Sequence, residues 1–389
     1  MELNFTWLLL ALPVAFALGW LASRMDLRQW RQLSQTSPKP FFKGLNHLLN
    51  AQEDEAIDAF IQTAQQDPNA TELHFALGNL FRNRGDHDRA IRVYEFLLQR
   101  PDLPDADRHQ ARYALGQAFL RAGILDRAES HLLELTNTPY KEDAGMALLG
   151  LYERTSEWEK ALEMARRLQA DGKLDFSTRM AHYHCEVAAQ PPTQSPSTNG
   201  SISEFAYQHA LALAPWHVRT HMELANAEAL SGQSAAAWKR LNELVTQVPK
   251  ALPLATQHLA ELAHELGETD ALTNVLQTAL SQNPSLDVLE TLLKLTPSTH
   301  ERNTLLLQYL EQESSVVVAA DWIFEQSIQS HDAETSSLPE PVHRALQRAC
   351  APLRRYRCAA CGFETTRHFW QCPGCQTWDS YPTHRVDEL

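Results

Sequence analysis

The sequence predicts an all-α protein: an array of paired helices, preceded by a membrane-spanning segment and closed by a small four-cysteine metal knuckle. Three observations carry this. Residues 5–22 hold no charge. Alanine-centred phrases recur between Ala56 and Ala161 at intervals of 34, 38 and 33 residues. Four of the 6 cysteines crowd near the C-terminus as two Cys-x-x-Cys pairs.

The N-terminal run is FTWLLLALPVAFALGWLA. A bilayer core needs about 20 apolar residues as helix, with ~17 as a lower limit. Pro13 is tolerated better in a membrane helix than in a soluble one, and Trp7 and Trp20 sit where indoles favour the interface. A cleaved signal peptide would begin with a basic stretch, but Glu2 is the only charged side chain before the run, and no small-residue cleavage site follows. A buried soluble helix is rarely uncharged over such a length. Residues 1–22 are therefore read as an anchor and 23–40 as a juxtamembrane linker. Arg24, Arg28 and Arg31 follow directly, which places the N-terminus outside and the bulk of the chain in the cytoplasm.

The phrases DEAIDAF, DRAIRVY, DRAESHL and EKALEMA align Ala56, Ala90, Ala128 and Ala161. Gly44, Gly78 and Gly116 precede the first three at a constant offset, and Phe81, Phe119 and Tyr152 precede the last three at another. Gly85 and Gly123 fall where a tight turn would join two helices. Small residues let paired helices approach, and bulky ones fill the space to the next pair. The pattern resembles the tetratricopeptide repeat. It continues less regularly through Gly232 and Gly267 and through Pro215, Pro249 and Pro284, giving at least seven helix pairs up to Pro284 and further helical periodicity to about Ile328. The array is assigned to residues 41–330.

Two interruptions need a reading. The stretch QPPTQSPSTNGS at 190–201 cannot form a helix interior and is expected to be a loop between the helices of the fifth pair, either a tolerated surface insertion or a partner-binding loop. His182, His184 and Cys185 crowd together, but side chains one or two apart on a helix diverge, so a repeat helix with a buried Cys185 is expected rather than a metal site.

After a linker and a short helix in 331–353, with the helix expected over 342–352, the segment 354–389 contains RCAACGFETTRHFWQCPGCQTW. Cys358, Cys361, Cys372 and Cys375 can supply four thiolates to one tetrahedral ion, zinc or iron. Gly362, Pro373 and Gly374 are expected to supply the tight turns, and Tyr356, Phe363, Phe369, Trp370 and Trp378 to wrap the site as its core. So short a module cannot bury enough apolar surface alone, so the metal is expected to be structural. A single redox Cys-x-x-Cys on a larger α/β domain, or a pair of disulfides, fits the spacing and the compartment less well. The pattern looks like both a zinc ribbon and rubredoxin, so electron transfer stays open as a lesser alternative.

The net charge of −14 argues against a general nucleic-acid binder. No nucleophile–base pair, phosphate loop or HExxH motif is present, so no enzyme is indicated.

With the three parts in order, the chain resembles the lipopolysaccharide assembly protein B family of Gram-negative bacteria. The specific stretches are LGNLFRNRGDHDRAIRVY (77–94), ERTSEWEKA (153–161), RYRCAACGF (355–363) and WQCPGCQTW (370–378). The proline-rich loop near Pro191 departs from the regular helices expected there. The resemblance implies an adaptor between the inner-membrane protease FtsH and the cytoplasmic deacetylase that commits lipid A synthesis. It also implies other lipopolysaccharide assembly proteins as partners, and opposition by an inner-membrane protein that senses lipopolysaccharide. It implies Cys358, Cys361, Cys372 and Cys375 as the metal ligands. It does not identify the partner-binding residues of the array. A general assembly scaffold or co-chaperone is the main alternative.

Overall fold

The computed structural model describes residues 46–47, 55–59, 61, 71–170, 172, 174–190, 199–329 and 339–389. The predicted anchor, its linker, most of the first helix pair and residues 191–198 of the proline-rich loop lie outside these. Among the described residues, no helix is long and apolar enough to cross a membrane.

Helices follow one another in twos: α1 (Thr71–Asn83) and α2 (His87–Gln99), α3 (Asp105–Ala122) and α4 (Leu125–Leu133), α5 (Lys141–Thr155) and α6 (Trp158–Ala170), α7 (Ser177–Ala189) and α8 (Asn199–Leu213), α9 (Val218–Leu230) and α10 (Ser234–Gln247), α11 (Leu252–Leu266) and α12 (Thr269–Gln282). Then come α13 (Leu286–Leu295), α14 (Thr299–Gln312), α15 (Val316–Gln329) and α16 (Glu340–Cys350), and the two-residue strands β1 (Tyr356–Arg357) and β2 (Glu364–Thr365). The chain divides into two compact units, Met1–Leu151 and Tyr152–Leu389.

In the first unit the repeat signature has a direct steric cause. A Cβ on Gly78 would lie 2.6 Å from the Tyr94 ring, and one on Gly116 would lie 2.9 Å from Leu132. No side chain fits in either gap, so α1 meets α2 and α3 meets α4 over a bare backbone. Ala90, Ala128, Tyr94 and Phe119 are wholly buried around these crossings. Gly123 closes α3 in the left-handed region (φ 76°), and the Ile124 N–H returns to the Phe119 carbonyl at 2.9 Å. Asp86 caps α2 by accepting from the Arg89 N–H at 3.3 Å.

In the second unit one apolar core runs from α9 to α16. It includes Leu241, Leu259, Leu276, Leu292, Leu306 and Val318, and ends at Cys350. The short helix predicted over 342–352 spans Glu340–Cys350. It starts earlier because Pro341 is accommodated in its first turn, and it ends before Pro352, whose ring disfavours helix at the preceding residue. The α8 helix begins at Asn199, so the end of the stretch expected to be loop opens a helix.

Candidate metal centre

The two cysteine pairs fold as matching hairpin turns. β1 pairs antiparallel with β2, Tyr356 facing Thr365 and Arg357 facing Glu364. The Cys358 N–H then donates to the Phe363 carbonyl (3.0 Å), while the Cys372 N–H donates to the Thr377 carbonyl (2.9 Å). Each turn needs one left-handed residue five positions into it. In the first turn this is Gly362 (φ 76°), as expected; in the second it is Gln376 (φ 61°), not Gly374. Gly374 serves another purpose: a Cβ there would meet Phe363 at 3.3 Å, so it keeps the turns close together.

All four sulfurs lie within 4.8 Å of one another. Cys358 and Cys375 are 3.8 Å apart, and Cys361 and Cys372 are 3.7 Å apart. A tetrahedron with metal–sulfur bonds of about 2.3 Å has edges of about 3.8 Å. The sulfur set therefore fits one tetrahedral ion. Cys358 and Cys372 are buried, whereas Cys361 and Cys375 reach solvent. The sulfurs also have local hydrogen-bond support. Cys358 Sγ lies 3.2 Å from Ser380 Oγ, and Cys375 Sγ lies 3.3 Å from Thr377 Oγ1. Burial pushes the Cys358 thiol up, but Ser380 and the Cys361 and Ala360 N–H groups more than offset this and bring it down to about 6. At Cys361 the Phe363 N–H pulls down, yet partial desolvation and the neighbouring sulfurs win and push it up to about 12. Four thiolates so close need a cation among them.

The knuckle's own core is smaller than expected: Tyr356, Cys358, Cys372 and Tyr381. Phe363 and Phe369 are exposed rather than wrapped around the site. Trp378 turns away, toward the repeat helices, because the knuckle is not free-standing. Its indole Nε1 donates to Glu153 Oε1 (2.8 Å), and its ring stacks on His182 (4.7 Å between centroids) and meets Trp158 and Tyr183 edge-on. Glu153 is buried, and its charge is met by Arg179 through two hydrogen bonds of 2.8 and 2.7 Å and by the Tyr183 hydroxyl. Beside it, fully buried His182 contacts both carboxylate oxygens of Asp379 at 2.9 Å. Asp379 adopts φ 49°, which its short polar side chain tolerates. Burial raises its pKa, but the His182 hydrogen bond and nearby His182, His217 and His368 lower it further, leaving it below the usual carboxylate range.

A second latch lies at the C-terminus. Arg385 and the Tyr356 hydroxyl both bind Asp287, and Arg354 bridges Asp321 and Glu290. The last two acids cap helices at a distance in sequence. Asp387 accepts from the Val316 and Val317 N–H groups (3.3 and 3.2 Å) at the start of α15, and Glu388 accepts from the Leu286 N–H (2.7 Å) at the start of α13. An anion at a helix N-terminus satisfies otherwise unpaired N–H groups and the helix dipole.

Sequence reasoning placed Cys185 correctly: it is buried, 3.2 Å from Thr220 Oγ1. His182 and His184 do diverge; His184 stacks on His209. That His182, Glu153 and Asp379 form one junction was missed. The available hint was a cluster of polar side chains on otherwise apolar helix faces, which needs partners that the sequence alone does not supply.

These features define a class: a tetratricopeptide-repeat solenoid with a rubredoxin-like, zinc-ribbon metal knuckle at its C-terminus. A family model described as the rubredoxin metal binding domain matches residues 356–381. A tetratricopeptide repeat model matches residues 44–104 and 75–142. The resemblance to the lipopolysaccharide assembly protein B family is borne out. The chain is 29% identical over 98% of its length, and 99% of the relative's, to lipopolysaccharide assembly protein B of Escherichia coli K12. It is 28% identical to that of Haemophilus influenzae, covering 96% of each chain. Among solved structures, a tetratricopeptide repeat protein from Parabacteroides merdae is 14% identical and covers 67% of this chain and 98% of its own, with a TM-score of 0.34. At that score it adds nothing to the helix pairing seen directly.

Proposed function

We propose that this protein is a non-enzymatic adaptor of the inner membrane that limits lipopolysaccharide synthesis by promoting FtsH-dependent proteolysis of the lipid A deacetylase. It also gathers lipopolysaccharide assembly enzymes, and an inner-membrane protein that senses lipopolysaccharide opposes it. The observation that carries the reading is the match to lipopolysaccharide assembly protein B along 98% of the chain. A repeat solenoid suits protein binding, which supports an adaptor. In this reading residues 1–22 anchor the chain with its N-terminus in the periplasm, 23–40 link it to a cytoplasmic array at 41–330, and 331–353 lead to the metal domain at 354–389. Cys358, Cys361, Cys372 and Cys375 hold one ion, zinc or iron, whose part is structural: it neutralises the thiolates and fixes the turns that deliver Trp378 and Asp379 to the repeats.

Pulse-chase of the deacetylase in depleted cells tests this. The half-life should lengthen, with protein accumulating and transcript unchanged. An unchanged half-life together with mislocalised assembly enzymes would reject the proteolysis adaptor in favour of a general scaffold.

A further inference from the structure

The first unit contains a pocket of about 770 Å³ between the end of α1, the start of α2 and one face of α3. Arg82 and Asn83 contribute from α1, His87 from α2, and Tyr113, Gln117 and Arg121 from α3. The α3 residues recur at intervals of four, so they line one helix face. No aspartate, glutamate or aliphatic side chain lines the pocket. Neither Arg82 nor Arg121 pairs with a carboxylate among the described residues. The nearest acids are engaged or set back: Asp86 pairs with Arg89 at 3.2 Å, and Asp143 is felt at Tyr113 without lining the space.

Two guanidinium groups, Arg82 half-buried and Arg121 exposed, line one concavity, an arrangement that suits an anion. The remaining groups extend the donor set. Tyr113 accepts from Gln117 Nε2 at 3.2 Å, so its own O–H stays available to donate. The side-chain amides of Asn83 and Gln117 offer both donors and acceptors. His87 Nδ1 is buried without a hydrogen-bond partner. A planar guanidinium fork matches a carboxylate bidentately, and amides suit a peptide backbone. The volume exceeds what one small ion fills, and the missing aliphatic wall leaves nothing to seat an acyl chain. We infer that this pocket is a binding site for an acidic peptide segment of a partner protein, with Arg82 and Arg121 each taking a carboxylate.

The inference goes beyond the proteolysis reading and does not rest on it. General electrostatic attraction cannot produce such binding, because the whole chain carries −14 and repels acidic ligands at a distance. Capture must come from the local arginine pair.

The test is fluorescence anisotropy of a fluorescein-labelled polyglutamate peptide with the full chain in neutral detergent micelles. Wild type should bind, and Arg82→Ala with Arg121→Ala should weaken binding by at least about tenfold. Replacing both by lysine, which keeps charge but loses the fork, should give an intermediate loss. Arg92→Ala, at an exposed arginine outside the pocket, should change nothing. Unchanged melting curves would show that the variants fold. No peptide binding by wild type, or equal binding by the double alanine variant, would overturn the assignment. So would an arginine-dependent affinity for inorganic phosphate with no affinity for polyglutamate, which would make this a phosphate site.

Discussion

The first unit and the second are built from the same helix pairs but held by different physics. Around α1 to α4 the helices lock by size: Gly78 against Tyr94 and Gly116 against Leu132, with Ala90 and Ala128 buried at the crossings. From Glu153 at the end of α5 through α7 the decisive contacts are polar and reach far along the chain. Glu153 meets Arg179 and Trp378, and His182 meets Asp379. Steric locking is local and repeats with a period. A buried polar junction is neither, and it makes the second unit depend on a knuckle some 200 residues away in sequence, as the separation of 197 between His182 and Asp379 shows.

The largest effect should come from breaking the polar junction. Glu153→Ala would leave the Arg179 guanidinium, the Tyr183 hydroxyl and the Trp378 indole without their shared acceptor. Removing one partner of a buried ion pair costs roughly 3–5 kcal/mol. Chemical denaturation should show that loss in the second unit, and Glu153→Gln, which keeps an acceptor oxygen, should recover part of it. Next is the steric lock. Gly78→Val must push into the Tyr94 ring, and overpacking of this kind costs about 1–3 kcal/mol. That loss should fall in the first unit, while Gly150→Val, whose Cβ meets nothing within 4 Å, should cost less.

A third effect, nearly absent at neutral pH and growing as pH falls, sharpens the contrast. Burial, with His182 and Arg219 nearby, lowers His217 to about 3; burial, with His209 and Arg166, lowers His184 to about 4; burial also lowers His221. A histidine with a depressed folded pKa binds its proton more readily when unfolded. Its stabilising contribution is therefore complete above the unfolded value of about 6.5 and is lost as pH falls toward the folded one. Each such group adds a slope of up to about 1.4 kcal/mol per pH unit. In the first unit burial likewise lowers His131, one group against those three. The midpoint for the second unit should thus fall faster between pH 6.5 and 4 than that of the first, as followed by denaturation at stepped pH.

What was legible in the sequence follows the same division. Gly78, Gly116 and the aligned alanines betray the first repeats because steric locking demands particular residues at fixed offsets. From α13 onward the core is chiefly leucine and valine with Tyr309, which fix periodicity but no repeat phase. The cysteine spacing was equally legible, since a tetrahedral ion dictates it. The knuckle's surroundings were not. Trp378 and Phe363 look alike as candidate core aromatics in a free-standing module, and only docking on α5–α7 separates the half-buried indole from the exposed ring. Likewise Gln376 gives no sequence sign of its left-handed backbone (φ 61°), because the second turn's hydrogen bonds impose it.

The central claim is that the metal knuckle and the repeat helices of the second unit form one stabilised body. Hydrogen exchange of the full chain, compared before and after removal of the ion by a chelator, tests it most directly. The account predicts lost protection in residues 354–389 and also in Trp158–Ala170 and Ser177–Ala189, with Thr71–Asn83 and His87–Gln99 unchanged. Loss confined to the knuckle, with α6 and α7 as protected as before, would contradict it.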